Sequence, residues 1–92
     1  MIYRRTNWFK KAYQALSTEI QAKVKKAFLL FQEDTRHPSL AVKKIQGTEN
    51  IWEWRIDRQY RFTFHFEGEP GTGKKICVFR NVDNHDECLK SP

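Results

Sequence analysis

The chain of 92 residues holds two cysteines, and no apolar run in it approaches the ~20 residues that span a bilayer. Cys77 and Cys88 are too few for a disulfide framework, so both are read as packing residues. Charged residues at 30% argue against a membrane protein. The opening Met1-Ile2-Tyr3-Arg4-Arg5 lacks the apolar stretch of a secretion signal, and a cytosolic setting is expected. Acid is scarce in one half only: residues 1–46 carry three Asp/Glu against ten Lys/Arg, whereas residues 47–92 carry eight against seven. A first half at +7 followed by a second at −1 favours a polyanionic partner, either nucleic acid or an acidic protein segment; a solvated helix surface is the plain alternative.

What the chain has in quantity is aromatic. At this length one domain over 1–92 is expected, and it hides only roughly 60 to 65% of its unfolded surface, so large side chains have to build the core. Three Trp, three Tyr and seven Phe supply them. From Ile51 to Phe66 the apolar residues Trp52, Trp54, Ile56, Tyr60, Phe62, Phe64 and Phe66 recur at every second position, which is strand periodicity. A turn at Asp57-Arg58-Gln59 folds this stretch into a hairpin with an aromatic back. Glu53, Arg55, Asp57, Arg61, Thr63 and His65 then share the polar front.

Ahead of the hairpin, Ile2–Arg5 reads as a short edge strand. Thr6 or Asn7 caps a helix with an apolar stripe of Trp8, Phe9, Ala12, Tyr13 and Leu16. Thr18 and Gln21 have capping-box spacing for a second helix, which buries Ile20, Val24, Ala27, Phe28, Leu30 and Phe31 and turns Lys23, Lys25 and Lys26 to water. It ends before His37-Pro38, and the short link between the two helices predicts an antiparallel pair. Val42–Ile45 reads as a short strand. Residues 67–73 gather three of the four glycines into an expected mobile loop, Lys75–Val82 makes the last strand, and a polar tail with a possible helical turn follows. The expected fold class is α+β: two N-terminal helices on one face of a twisted antiparallel sheet of three to four strands, with a short C-terminal tail and the other face open.

Arg55 and Arg61 flank one tight turn on the front, a pairing suited to phosphate; surface salt bridges to Glu53 and Asp57 are the alternative. Lys43 and Lys44 add charge at one rim. His65 has front parity, His85 stands beside Asp86 in the tail, and His37 reads as loop surface; histidine exchanges protons near neutral pH and a neighbouring carboxylate raises its basicity. His85, Asp86 and Cys88 match no standard zinc spacing, the glycines of residues 68–73 open no helix, and no Ser or Cys sits on a strand-to-helix elbow.

In order, two helices, a Lys-rich stretch into Gly47, Trp52-Glu53-Trp54-Arg55-Ile56, Tyr60-Arg61-Phe62 and the ending Val82-Asp83-Asn84-His85-Asp86-Glu87 resemble the RelE/ParE superfamily of type II toxins, and its YafQ/HigB/RelE-like branch in the histidine. The resemblance implies a ribosome-dependent, metal-independent endoribonuclease that cleaves mRNA, without cofactor, partnered by an acidic antitoxin. On that pattern Arg61 stabilises the phosphate, His85 acts as acid or base with Asp86 orienting it, and Lys43, Lys44, Arg55 and Arg80 contact RNA. The last turn offers Cys88, Leu89 and Lys90 where many active members carry an aromatic residue. A ParE-like gyrase inhibitor or a degenerate basic binding module is therefore the alternative.

Overall fold

The computed structural model describes residues 1–35, 37–90 and 92, with the side chains of His85 and Leu89 outside the description. Strand β1 (Ile2–Arg5) leads into helix α1 (Asn7–Gln14) and helix α2 (Thr18–Glu33). A 3-10 turn at Pro38–Leu40 precedes β2 (Lys43–Lys44), β3 (Trp52–Arg55), β4 (Tyr60–Gly68), β5 (Lys75–Asn84) and helix α3 (His85–Lys90). The five strands form one sheet in the order β1-β5-β4-β3-β2. Its strand count exceeds the expectation by one, and it is mixed: β1 runs parallel to β5 while the other pairs are antiparallel. The parallel contact arises because α1 and α2 and the rest of the sheet intervene between the two strands, so no hairpin constrains their direction.

The caps explain where the helices start. Thr6 Oγ1 accepts from Phe9 N at 3.0 Å and donates to Arg80 O at 3.0 Å, so one hydroxyl both caps α1 and fastens it to β5. Ser17, rather than Thr18, caps α2, its Oγ accepting from Ile20 N at 3.3 Å. Gln21 instead donates to Tyr13 O at 2.9 Å, because a start one residue earlier moves it off the capping-box position.

Both helices cover the aromatic back of the sheet, as their stripes dictate. Phe9, Val24, Ala27 and Phe31 join Leu40, Trp54, Phe62, Phe64, Cys77, Phe79 and Val82 in one core. Phe31 lies 4.1 Å from Trp54 and 5.1 Å from Phe64 between ring centroids, and Trp54 stacks on its cross-strand partner Phe62 at 4.1 Å. Such pairs add about 0.5–1.5 kcal/mol each beyond area burial. Trp8 departs from the expected stripe, remaining 62% exposed, because Phe9, Tyr13 and Leu16 define a core-facing line that leaves Trp8 about 100° aside.

Residues 69–74, expected as a mobile loop, fold as a hydrogen-bonded turn: Glu69 N donates to Lys74 O at 2.8 Å, Gly73 N to Glu69 O at 3.0 Å and Thr72 Oγ1 to Glu69 Oε1 at 2.7 Å. Gly71 and Gly73 take φ of 85° and 70°, the left-handed region the turn requires. The front of the sheet is also not wholly open. Helix α3 packs on it, burying Cys88 and Thr63, and Thr63 Oγ1 donates to Pro92 O at 2.9 Å.

Candidate functional site

The β3–β4 register places Arg55 directly opposite Arg61, as the tight turn demands. One step further, Arg61 faces Asp83 and Tyr60 faces Asn84 on β5, after which α3 begins at His85. Asn84 Oδ1 accepts from Glu87 N at 3.0 Å and so fixes the first turn of α3. Arg55, Arg61 and the start of α3 therefore lie toward the same end of the hairpin, with Arg61 one strand and Arg55 two strands from β5. The His85 side chain lies outside the described residues. A hollow of about 620 Å³ opens beside α3, with Arg58, Tyr60, Asn84, Asp86 and Lys90 in its walls; Arg55 and Arg61 are not among the residues lining it.

Arg61 is held by its own turn. Its Nη1 donates to Asp57 O at 2.6 Å and Tyr60 O at 3.0 Å, and Nε lies 3.9 Å from Glu53 Oε1. Glu53, only 3% exposed, also faces Lys43 at 3.5 Å, so a buried carboxylate draws two cations of the front together. Of the alternative salt bridges, the one from Arg61 to Glu53 is present, while the Asp57 carboxylate takes Lys23 of α2, at 3.1 Å. Asp57 Oδ1 accepts from Gln59 N and Tyr60 N, both at 2.8 Å, closing the turn. Partial burial pushes the Asp57 carboxyl up, but those two N–H groups and the Lys23 ammonium outweigh it and hold it below its ordinary value.

Arg55 and Lys43 are exposed beside Arg61. Lys44 pairs with Trp52 and so has back parity, which sets it apart from the cluster. Arg80 also lies elsewhere, because Thr63 pairs with Asn81 and Phe64 with Phe79, leaving Arg80 as an extra residue in a β-bulge. Its Nη1 lies 2.7 Å from His65 Nδ1 and its Nε donates to Pro92 O at 3.0 Å. A guanidinium only donates, so His65 Nδ1 accepts and Nε2–H donates to Glu67 Oε1 at 2.8 Å. Parity from Phe79 already gives Arg80 the front, but alternation did not disclose this Glu67–His65–Arg80 chain; the bulge adds Asn81 to the same face, opposite Thr63. The Cys88 thiol is pushed up to about 12 by burial, with its Sγ 3.6 Å from Arg61 O. Among the described residues no cluster of His, Cys, Asp and Glu is disposed to hold a metal, and no helix is long and apolar enough to cross a membrane.

A helix pair on the back of a small mixed sheet, with a basic front closed at one end by a short helix, is an architecture shared with small toxin proteins. The chain is similar over 92% of its length to 99% of a YoeB/ParE toxin from Agrobacterium tumefaciens, at 15% identity and a TM-score of 0.72. Against RelE in the RelB–RelE antitoxin–toxin complex from Methanococcus jannaschii the identity is 19%, the cover 95% of both chains and the TM-score 0.69. YafQ from E. coli strain BL21(DE3) gives 10%, 94% of both chains and 0.73. No family model and no curated protein matches the sequence. The chain has the RelE/ParE fold.

Proposed function

We propose that this chain is the toxin of a type II toxin–antitoxin module, acting in the cytoplasm as an endoribonuclease on ribosome-bound mRNA. The observation that carries the reading is the cross-strand Arg55–Arg61 pair standing where α3 begins with His85, within a fold shared with RelE, YafQ and YoeB. In the reaction the ribose 2′-oxygen attacks the adjacent phosphorus and the P–O5′ bond breaks, leaving a 2′,3′-cyclic phosphate and a 5′-hydroxyl. His85 takes the 2′-hydroxyl proton or supplies one to the departing O5′, with Asp86 orienting the ring. Arg61, already fixed by Asp57 O and Tyr60 O, donates to the phosphorane oxygens as their charge grows. Arg55 and Lys43 hold the flanking phosphates, with Lys44 and Arg80 contributing from further out. Every role falls to a side chain, so no metal or cofactor is invoked.

An acidic antitoxin is the expected partner. Its extended segment and helix would cover Lys43, Arg55 and Arg61, in keeping with the +6 net charge and with the antitoxin-bound state of RelE in the M. jannaschii complex. The second reading, a ParE-like inhibitor of DNA gyrase, draws on the commitment of Arg61 to main-chain oxygens and Glu53, which leaves it fewer donors for a phosphate.

Induced expression followed by primer extension on cellular mRNA tests the first reading, with in-frame cuts expected. Arg61→Ala and His85→Ala should each lower cleavage about 100- to 1,000-fold, the effect of removing one charge-stabilising group, and relieve growth arrest with the circular dichroism unchanged. Full toxicity in both variants sinks the site assignment, and gyrase–DNA cleavage complexes in place of mRNA cuts mark the second reading.

A further inference from the structure

Trp8 is 62% exposed, and it stands in the wall of a hollow of about 510 Å³ together with Thr6, Ile51, Arg80 and Pro92. Its neighbours hold it in place. Thr6 N donates to Phe79 O at 3.0 Å, and Thr6 Oγ1 joins Arg80 O and Phe9 N. On the other side Phe9 is buried, 4.9 Å from Phe62 between centroids. The backbone carrying Trp8 is therefore anchored at the residue after it and the second residue before it, and the indole, with only two side-chain torsions to fix, presents a flat apolar face. In the same hollow the Arg80 guanidinium is pinned by Pro92 O and His65 Nδ1, which leave it a cation of fixed position. Trp8, Ile51 and Pro92 supply apolar wall and Arg80 supplies positive charge.

We propose that Trp8 and Arg80 form a subsite for one unpaired nucleotide of a single-stranded RNA, its base stacked on the Trp8 indole and its phosphate on the Arg80 guanidinium. An aromatic plane beside a fixed cation is the chemistry of single-strand binding, because every base has a π-face and every link a charge. Charge complementarity selects a polyanion, since residues 1–46 carry ten Lys/Arg against three Asp/Glu, and the exposed indole beside the Arg80 cation favours a nucleotide over an acidic peptide. The subsite gives the chain an aromatic contact with RNA at the start of α1, where the turn containing Cys88, Leu89 and Lys90 offers none. It deepens the nuclease reading and rests on it for the identity of the strand as mRNA.

The test uses the whole chain and a hexauridylate oligoribonucleotide, read by fluorescence polarisation and by tryptophan quenching. Trp54 is fully buried and Trp52 partly so, which leaves Trp8 the tryptophan most open to the probe. Trp8→Ala should weaken binding at least about 5-fold and abolish most of the quenching, while Trp8→Phe, which keeps a stacking face, retains most of the affinity. Because stacking is uncharged, Trp8→Ala should leave the salt slope unchanged, whereas Arg80→Gln should reduce it by about 0.7, one single-strand phosphate contact.

Wild-type affinity in Trp8→Ala overturns the proposal, as does equal quenching by poly-L-glutamate, which would mark an acidic-peptide surface, or failure of the wild-type chain to bind the oligonucleotide. Trp8-dependent binding without mRNA cuts in cells sinks the nuclease reading and leaves the subsite standing. Cuts that persist with an indifferent Trp8 sink the subsite alone.

Discussion

Asp57 is the residue through which the helix pair, the hairpin turn and Arg61 are coupled. Replacing it with alanine removes the acceptor for Gln59 N and Tyr60 N and the partner of Lys23. Each lost hydrogen bond is worth about 0.5–1.5 kcal/mol net, nearer the lower figure here because the turn is solvated. The Lys23 pair, with side-chain exposures of 44% and 24%, adds roughly 0–1 kcal/mol. Asp57→Ala should therefore destabilise by about 1–2 kcal/mol, and Asp57→Asn, which keeps an oxygen for the turn and loses only the charge, by about 0–1 kcal/mol. Thermal denaturation resolves the difference, since 1 kcal/mol moves Tm by about 4–8 °C in a domain of this size. The pH dependence follows from the depressed carboxyl: its contribution is complete above the ordinary value of 3.8 and is lost as pH falls through the lower folded-state value. Asp57→Asn should flatten that acid limb. Because Arg61 Nη1 rests on Asp57 O, Asp57→Ala should also reduce mRNA cleavage although its carboxylate is assigned no contact with RNA. Equal destabilisation by both substitutions would show that charge, not the turn acceptor, dominates, and the argument would be refuted.

Phe31→Ala removes a fully buried ring packed against Trp54, Phe64 and Phe79 and should cost about 3–5 kcal/mol, enough to leave much of the chain unfolded in a urea titration. Cys77 and Cys88 are both buried with thiols pushed up to about 12, so at pH 8 about one in ten thousand is thiolate. A thiol reagent should label neither in the native chain within minutes and both promptly in denaturant.

The hairpin was legible because its seven alternating apolar residues admit one register: a slip by a single position would turn Trp54 and Phe62 to water. Six of them reach the core or its margin, Tyr60 being drawn to the hollow at the hairpin end. The helices were legible for the same reason, period 3.6 in place of 2, except at Trp8, where an apolar residue was read as core although its neighbour Phe9 already set the buried line. Contacts of the tail were hidden, since α3 has six residues and too few apolar positions for periodicity to show which face it covers. Candidate cations were easy to name and harder to group. Parity brought Arg55 and Arg61 together and, with β2 in place, Lys43, but it was silent on the carbonyls that hold Arg61 and on the partner of Arg80.

The extra residue at Arg80 shifts the reading frame of β5. Upstream, Cys77 and Phe79 point into the core on odd numbers; downstream the inward position becomes Val82, an even one, opposite Phe62. Two consecutive residues, Arg80 and Asn81, are thereby spared from the hydrophobic side. A strand that must bury apolar groups at both ends can still devote its middle to polar neighbours, and the length of chain between Phe79 and α3 is then fixed by that one-residue offset.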